Sequence, residues 1–163
     1  MQKILKILIV DDDPMIIRFL TEILETDYQL LAATSGEEAL NCIEDFQPDI
    51  VLLDVMMTGI DGYETCKCIR ANTNTQHVTI IFLSAKTTLE ERLRGYEMGG
   101  DEYLTKPFEM DELIAKIEVF SKMWHKNNKE NFLTKLYDEK TLDILYTIQH
   151  ETPNILYVQS ESP

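Results

Sequence analysis

The sequence predicts an α/β fold built on a doubly wound parallel sheet, and three observations support this prediction. Short apolar segments alternate five times with amphipathic helical patterns before residue 122. Most of these segments are hydrophobic at consecutive positions, which is typical of strands covered on both faces. Residues that favour helix starts follow the strands at short distances. We therefore expect five strand–helix units, (βα)5, with helices on both faces of one sheet.

The first half of the chain contains three of these units. Asp13 and Pro14 suit the N-cap and first turn of the first helix. Ser35, followed three residues later by Glu38, has the spacing of a capping box at the start of the second helix. The third helix is predicted over about 63–71, after the glycine-containing loop 58–62. The three predicted strands comprise residues 4–10, 29–33 and 49–54.

The second half completes the sheet with strands at 78–83 and 103–105. A helix is predicted at about 89–98, and Gly99 with Gly100 supplies its C-terminal stop. The fifth helix is predicted over 109–124. Right-handed crossovers leave few topologies for parallel strands, and the flavodoxin-like strand order 2-1-3-4-5 is one of them.

Composition and charge limit the classes of partner. The chain has 163 residues and a formal net charge of −14, of which −12 belongs to residues 1–122. This acidity argues against binding of nucleic acid or an anionic membrane by this chain. The apolar runs are far shorter than a bilayer requires. The cysteines are too few for a disulfide framework, which favours a cytoplasmic protein with reduced thiols: Cys42, Cys66 and Cys68.

Polar residues of defined chemistry follow the strands where each one ends. Asp11 and Asp12 follow the first strand and Asp54 ends the third, whereas Ser84 and Lys106 follow the fourth and fifth. The carboxyl ends of parallel strands meet at one edge of the sheet, where sites of such folds lie. Neighbouring carboxylates repel unless a cation neutralises them, and an all-oxygen cluster selects a hard divalent ion such as Mg²⁺. A carboxylate, a metal ion and an ammonium group together suit phosphoryl transfer.

Five segments of the chain, in order and spacing, resemble the receiver domain of bacterial two-component response regulators. The resemblance covers residues 1 to about 122. It is highly specific, because all five segments match in order and spacing, and it implies a flavodoxin-like receiver with the strand order 2-1-3-4-5. The matching segments are residues 7–14, 48–57, 59–62, 80–85 and 99–108.

The resemblance implies a phosphoacceptor and a metal site. Asp54 would accept a phosphoryl group from a sensor histidine kinase or a phosphotransfer protein. Asp11, Asp12 and Asp54 would hold Mg²⁺, together with the backbone carbonyl of Met56. The family often has proline where Thr58 stands, and we therefore expect that loop to be slightly freer here.

The resemblance also implies the parts of a switch. Lys106 would pair with the acidic cluster and then with the phosphoryl oxygens, and the bond from Lys106 to Pro107 would be cis. Ser84 would contact the phosphoryl group, and Tyr103 would turn inward as Ser84 moves. The face formed by helix 4, strand 5 and helix 5 would control an output domain or partner, and could form a homodimer. Such a domain is a phosphoacceptor that catalyses only its own phosphotransfer and dephosphorylation.

The remainder of the chain forms a linker and an extension. Residues 123–131 have the composition of a linker, and 132–163 predict a helix to about His150, then Pro153 and a strand at 155–158. This extension has a weaker resemblance to the start of a diguanylate cyclase domain of the GGDEF type, degenerate and truncated, without the signature motif. We expect a longer protein, or otherwise a different output domain or an extension that packs on helix 5.

Three other functions are open at this point. The chain could be the regulatory part of an inactive diguanylate cyclase, or a protein-interaction module that works without phosphorylation. It could also be a Mg²⁺-dependent phosphatase with an aspartate nucleophile. That enzyme class favours a second acid two residues after the nucleophile, where this chain has Met56.

Overall fold

The computed structural model describes residues 3–136, with the side chains of residues 3–123 and of Lys126. Five strands and five helices alternate along this part of the chain. The strands are β1 (Lys6–Val10), β2 (Gln29–Ala33), β3 (Ile50–Asp54), β4 (Thr79–Ser84) and β5 (Glu102–Thr105). The helices are α1 (Pro14–Leu24), α2 (Gly36–Phe46), α3 (Gly62–Ala71), α4 (Leu89–Glu97) and α5 (Met110–Leu136).

All strand pairs are parallel, and the strand order is β2-β1-β3-β4-β5. The predicted α/β fold and strand order are therefore confirmed. The chain steps outward from β1 to β2 and then returns to pair β3 with the other edge of β1. This reversal makes the carboxyl ends of β1 and β3 the switch point, which is where such sheets form their sites.

Hydrophobic side chains cover the sheet on both faces. On one face, alternate strand residues pack with α2 and α3 in a single buried cluster, which includes Val10, Leu53, Phe82, Ile43 and Ile69. The intervening strand residues are buried as well. Because strand side chains alternate between faces, they lie on the opposite side, where right-handed crossovers place α1 and the start of α5. The consecutive hydrophobic residues of the strands follow from this two-sided burial.

The predicted helix starts are present. The Asp13 carboxylate accepts the Met15 backbone N–H at α1, and the Ser35 hydroxyl accepts that of Glu38 at α2. The second half of the capping box differs from the prediction, since the Glu38 carboxylate accepts the backbone N–H and the hydroxyl of Thr34. The Glu38 side chain therefore stabilises the start of α2 through the residue before the cap.

Gly99 ends α4 as predicted, at a position that glycine favours. Its φ of 102° lies in the left-handed region. The backbone N–H of Gly99 donates to the Tyr96 carbonyl, and that of Gly100 donates to the Gly95 carbonyl. This pair of bonds is the Schellman arrangement, which satisfies carbonyls at the end of a helix.

The fifth helix is longer than predicted. It continues through Trp124 to Leu136, so the stretch 123–131 that has the composition of a linker is helical. Its polar residues include lysine and glutamate, which are good helix formers, and it contains no glycine or proline to end a helix. Polarity alone did not distinguish a loop from an exposed helix. The domain boundary near residue 122 stays a prediction.

The chain divides into two compact units, one ending at Ile117 and the other starting at Glu118. The first contains the whole sheet. Of the second, only the part of α5 up to Leu136 is described. The predicted helix to His150 and the strand at 155–158 lie outside the described residues. In the described part, no helix combines the length and apolar character that crossing a bilayer requires.

Candidate functional site

Three carboxylates converge at the carboxyl edge of the sheet. Asp11 and Asp12 follow β1, and Asp54 is the last residue of β3, which pairs with β1. One oxygen of each lies within 4.8 Å of the others. Asp11 is 1% exposed and Asp54 is 6% exposed, whereas Asp12 is exposed to solvent. The site therefore has two buried acids and one acid at its opening.

Lys106 supplies the positive charge of this site. Its ammonium lies 2.8 Å from Asp11 Oδ2 and 3.2 Å from Asp54 Oδ1. Lys106 follows β5 at the sheet edge, and its side chain reaches back past β4 to β3 and β1. One cation faces three carboxylates, and the described site therefore keeps an excess of negative charge.

The burial of the site and its excess of negative charge shift the pKa of Asp54 and the pKa of Lys106. Burial and the nearby charge of Asp11 together raise the pKa of Asp54 to about 6, against the opposing effect of Lys106. Burial acts to lower the pKa of Lys106, but the hydrogen bond and charge of Asp11, together with Asp54, outweigh it and raise that pKa. Lys106 therefore stays a cation, and Asp54 is an acid that a further positive charge would stabilise in its ionised form.

Thr58 is a site residue that the sequence interpretation missed. Its backbone N–H donates to Asp12 Oδ2 at 3.0 Å, and its hydroxyl lies 3.3 Å from the same oxygen. We expected a freer loop here, because the family often has proline at this position. A proline has no backbone N–H to donate. Threonine instead holds the exposed carboxylate of Asp12 in place. The replacement of the family's usual proline by a residue with a backbone N–H and a hydroxyl could have indicated this role from the sequence.

The donor set fits a hard divalent cation. Three carboxylates offer oxygen ligands only, with two of them held in fixed positions by burial and by hydrogen bonds. Oxygen ligands in this number suit Mg²⁺, which also keeps several waters. Met56 lies on the loop after β3 with its side chain exposed. The role of its backbone carbonyl as a ligand stays a prediction.

Ser84 lies at the end of β4, next to β5 in the sheet. Its side chain is fully buried, and its hydroxyl accepts the backbone N–H of Lys86 at 3.1 Å. The backbone N–H of Lys106 donates to the Ser84 carbonyl at 2.7 Å, and the peptide bond from Lys106 to Pro107 is cis. These bonds link the strand that carries Ser84 to the residue that supplies the site's cation.

Tyr103, in β5, is turned inward. It is 6% exposed, and its hydroxyl donates to the Lys86 carbonyl at 3.2 Å. Its ring packs against Phe82 with a centroid distance of 6.0 Å, and the ring of Tyr63 also packs against Phe82, at 5.3 Å. The loop after β4, which follows Ser84, is thus connected to this aromatic group through Lys86.

The chain is similar to one protein family along most of this unit. Residues 7–118 match the response regulator receiver domain. The nisin biosynthesis regulatory protein NisR of Lactococcus lactis subsp. lactis is 43% identical over 123 residues, which cover 75% of this chain and 52% of NisR. The DNA-binding response regulator MtrA of Mycolicibacterium smegmatis is 37% identical over 115 residues, covering 70% of this chain and 49% of MtrA. The chain thus spans about half the length of the curated relatives it matches.

A solved structure of a receiver domain has the same fold as this chain. The BeF3-activated receiver domain of DrrB, a Thermotoga maritima protein, has a TM-score of 0.67 and 34% identity. The match covers 74% of this chain and 99% of that domain. The family match ends at residue 118, and the comparisons do not bear out the weaker resemblance of residues 132–163 to a diguanylate cyclase domain.

Proposed function

Because the chain belongs to the response regulator receiver domain family, we propose that it is a phosphorylation-controlled switch with Asp54 as its phosphoryl acceptor. One observation carries this proposal: the Lys106 ammonium contacts both Asp54 and Asp11 at the switch point of the sheet. This contact places a cation beside the one buried carboxylate that ends a central strand. We propose that the donor is a sensor histidine kinase or phosphotransfer protein.

In the proposed reaction, a carboxylate oxygen of Asp54 attacks the phosphorus of the donor. The new O–P bond forms as the bond from phosphorus to the donor breaks, and the donor's leaving group takes the electron pair. With a pKa of about 6, Asp54 is mostly ionised at neutral pH and can act as the nucleophile. Lys106 is positioned to stabilise the negative charge on the transferring oxygens.

The three carboxylates would hold Mg²⁺, with the backbone carbonyl of Met56 as a further ligand. The ion, when bound, would supply positive charge to the transferring phosphoryl group. Asp11 lies in place through its bonds to Lys106 and to the backbone N–H of Asp13. Asp12 is oriented by Thr58. These fixed positions reduce the reorganisation that the site needs during transfer.

The phosphoryl group would then act on the switch residues. It adds negative charge and acceptor oxygens beside Ser84, whose hydroxyl could leave the Lys86 N–H to bond them. Movement of that loop would change the environment of Tyr103 and the face of α4, β5 and α5. We propose that this face controls an output domain or partner, or joins two copies of the chain.

The free cysteines Cys42, Cys66 and Cys68 support a cytoplasmic location.

Intact-protein mass spectrometry tests the proposal. The protein is incubated with acetyl phosphate and Mg²⁺, and we expect a mass increase of one phosphoryl group that EDTA prevents. Asp54→Ala should show no increase. Asp13→Asn is the matched control, because Asp13 lies outside the carboxylate cluster and asparagine also caps helices. Equal uptake by Asp54→Ala and the wild type would overturn the assignment.

The alternative functions have less support. A phosphatase of the type considered needs an acid two residues after Asp54, where the exposed Met56 stands. An interaction module without phosphorylation would have no need for the carboxylates and the lysine to converge as they do. The names of NisR and MtrA favour a regulatory output for the full protein over a cyclase.

A further inference from the structure

The hydroxyl of Tyr63 lies where three segments of the chain meet. Tyr63 belongs to α3 and is 2% exposed. Its hydroxyl oxygen lies 3.0 Å from the backbone carbonyl oxygen of Glu91 and 3.0 Å from Glu91 Oε2, both in α4. It also lies 3.5 Å from the hydroxyl of Tyr103 in β5. This one group therefore contacts both the proposed switch tyrosine and the helix next to it.

The hydrogen bonds of the two tyrosines depend on each other. Each hydroxyl has one proton to donate and can also accept. Tyr63 donates its proton to Glu91, and Tyr103 donates its proton mainly to the Lys86 carbonyl at 3.2 Å. The longer contact of 3.5 Å between the two hydroxyl oxygens therefore has to share one of these two protons. Burial and the hydrogen bonds to Tyr103 and Glu91 raise the pKa of Tyr63, which keeps its proton in place. The buried orientation of Tyr103 therefore has two polar contacts, a hydrogen bond to the Lys86 carbonyl and a weaker contact with the Tyr63 hydroxyl.

Charged groups hold the Glu91 side chain toward Tyr63. The Lys86 ammonium lies 3.2 Å from Glu91 Oε1, and the Arg94 guanidinium lies over the Tyr63 ring at 4.9 Å from its centroid. Glu91 is thus bonded by both its carboxylate oxygens, one to the loop after β4 and one to α3. Any shift of that loop would change the position of the group that binds the Tyr63 hydroxyl.

The ring positions are set separately, by packing. Both tyrosine rings pack against the Phe82 ring. The backbone of α4 at Gly95 approaches so closely that a Cβ added there would lie 2.9 Å from Tyr103 Cδ2. Replacing the Tyr63 hydroxyl with hydrogen would keep its ring contacts. The contribution of the hydroxyl can therefore be measured without opening the core.

We propose that Tyr63 is a positioning residue of the switch: its hydroxyl holds Tyr103 in the buried orientation and couples that orientation to α4 through Glu91. The coupling to phosphorylation rests on the proposed function, whereas the hold on Tyr103 does not. Lys86, in the loop after β4, connects the two tyrosines to that loop: its carbonyl accepts from Tyr103, and its ammonium bonds the Glu91 carboxylate that accepts from Tyr63.

NMR of the full chain tests this proposal without any phosphodonor. Tyrosine rings are labelled with carbon-13, and the Tyr103 signals are identified by their loss in Tyr103→Phe. A soluble paramagnetic agent reports how exposed each ring is. In Tyr63→Phe we expect the ratio of buried to exposed Tyr103 to fall roughly twofold to tenfold, the size expected for one lost hydroxyl hydrogen bond. Glu91→Ala should give a smaller decrease, because the Glu91 backbone carbonyl remains.

Tyr96→Phe is the matched control. Tyr96 also lies in α4, and its hydroxyl donates at 2.9 Å to Glu102 Oε1, which also accepts the backbone N–H of Tyr103. The Tyr96 hydroxyl thus acts on the backbone of Tyr103 through Glu102, whereas that of Tyr63 lies against the Tyr103 hydroxyl. This variant should leave the Tyr103 ring signals and their exposure as in the wild type. Unchanged Tyr103 exposure in both Tyr63→Phe and Glu91→Ala would overturn the proposal. So would an equal change in Tyr96→Phe, because it would show a general loosening of the helix.

The proposal that Asp54 is the phosphoryl acceptor and the proposal that Tyr63 holds Tyr103 are decided by different measurements. Phosphoryl uptake by wild type and Asp54→Ala decides the acceptor, and the Tyr103 ring signals in unphosphorylated protein decide the hold by Tyr63. The coupling is measured by adding acetyl phosphate and Mg²⁺ and recording backbone amide shifts in α4. In Tyr63→Phe we expect those shifts to be smaller per phosphorylated molecule than in the wild type. Equal shifts would overturn the coupling through Tyr63.

Discussion

The Lys106 ammonium lies 2.8 Å from Asp11 Oδ2 and joins residues 95 positions apart, at the ends of β5 and β1. Asp11 is nearly fully buried, so removing this cation would leave its carboxylate without a charged partner. The energy of such a pair is asymmetric. The pair itself adds little, but the loss of one member is costly because the other stays buried and charged.

Lys106→Met should therefore destabilise the protein in buffer with EDTA. We expect the free energy of unfolding at neutral pH to fall by about 3–5 kcal/mol, measured by urea denaturation. Added Mg²⁺ should recover part of this loss. Lys116→Met is the matched control, since Lys116 pairs with the more exposed Glu102 at 3.0 Å; its cost should stay below about 1 kcal/mol. Equal costs for the two lysines would contradict the prediction.

The raised pKa of Asp54 predicts how stability depends on pH without metal. The folded state binds this proton more tightly than the unfolded state, where the pKa is near 3.8. The contribution of Asp54 to stability is therefore complete below pH 4 and is lost as the pH rises through about 6. Two pKa units correspond to about 3 kcal/mol.

Asp54→Asn should remove this dependence. In EDTA, the variant should gain stability relative to the wild type as the pH rises from 4 to 7, approaching about 3 kcal/mol. Urea denaturation across this range measures the difference. Asp13→Asn should follow the wild-type curve, because Asp13 caps α1 and lies outside the cluster. A constant difference between Asp54→Asn and the wild type would rule out the shifted pKa.

The bonds from Thr58 to Asp12 predict that replacing Thr58 changes the affinity of the site for Mg²⁺. Thr58→Pro removes both donors that orient Asp12, and we expect Mg²⁺ binding to weaken roughly tenfold, as happens when groups that orient metal ligands are lost. Isothermal titration calorimetry measures the affinity. Thr58→Ser keeps both donors and should bind Mg²⁺ as the wild type does. Tighter binding by Thr58→Pro would show that Thr58 competes with the metal for Asp12.

Gly62 allows α3 to begin directly against the end of β3. A Cβ at this position would lie 2.2 Å from the Asp54 backbone oxygen and 2.7 Å from Val55 Cα. Backbone atoms cannot move aside as a flexible side chain can. Gly62→Ala should cost about 1–3 kcal/mol in unfolding free energy, although alanine favours helix. Lys67→Ala, at an exposed position of the same helix, is the control and should change stability by less than about 0.5 kcal/mol.

Local patterns predicted the elements well because local physics determines them. Strands β1 and β3 are apolar at consecutive positions, and Asp13 and Ser35 cap helices as their chemistry predicts. The fifth helix was the exception. Its polar stretch at 123–131 is also compatible with a loop, and only the structure showed that the helix continues.

The sequence by itself determined the α/β fold and the list of carboxylates, since apolar segments, helical patterns and strand ends follow from neighbouring residues. The strand order followed from the resemblance to the receiver domain, because local patterns leave several topologies open. Only the tertiary structure decided which groups touch across the sheet. The bond from Thr58 to Asp12 and the contact between Tyr63 and Tyr103 join residues 46 and 40 positions apart. Such contacts depend on differences of an ångström in how helices and loops pack, and hydrogen bonding changes steeply over that distance.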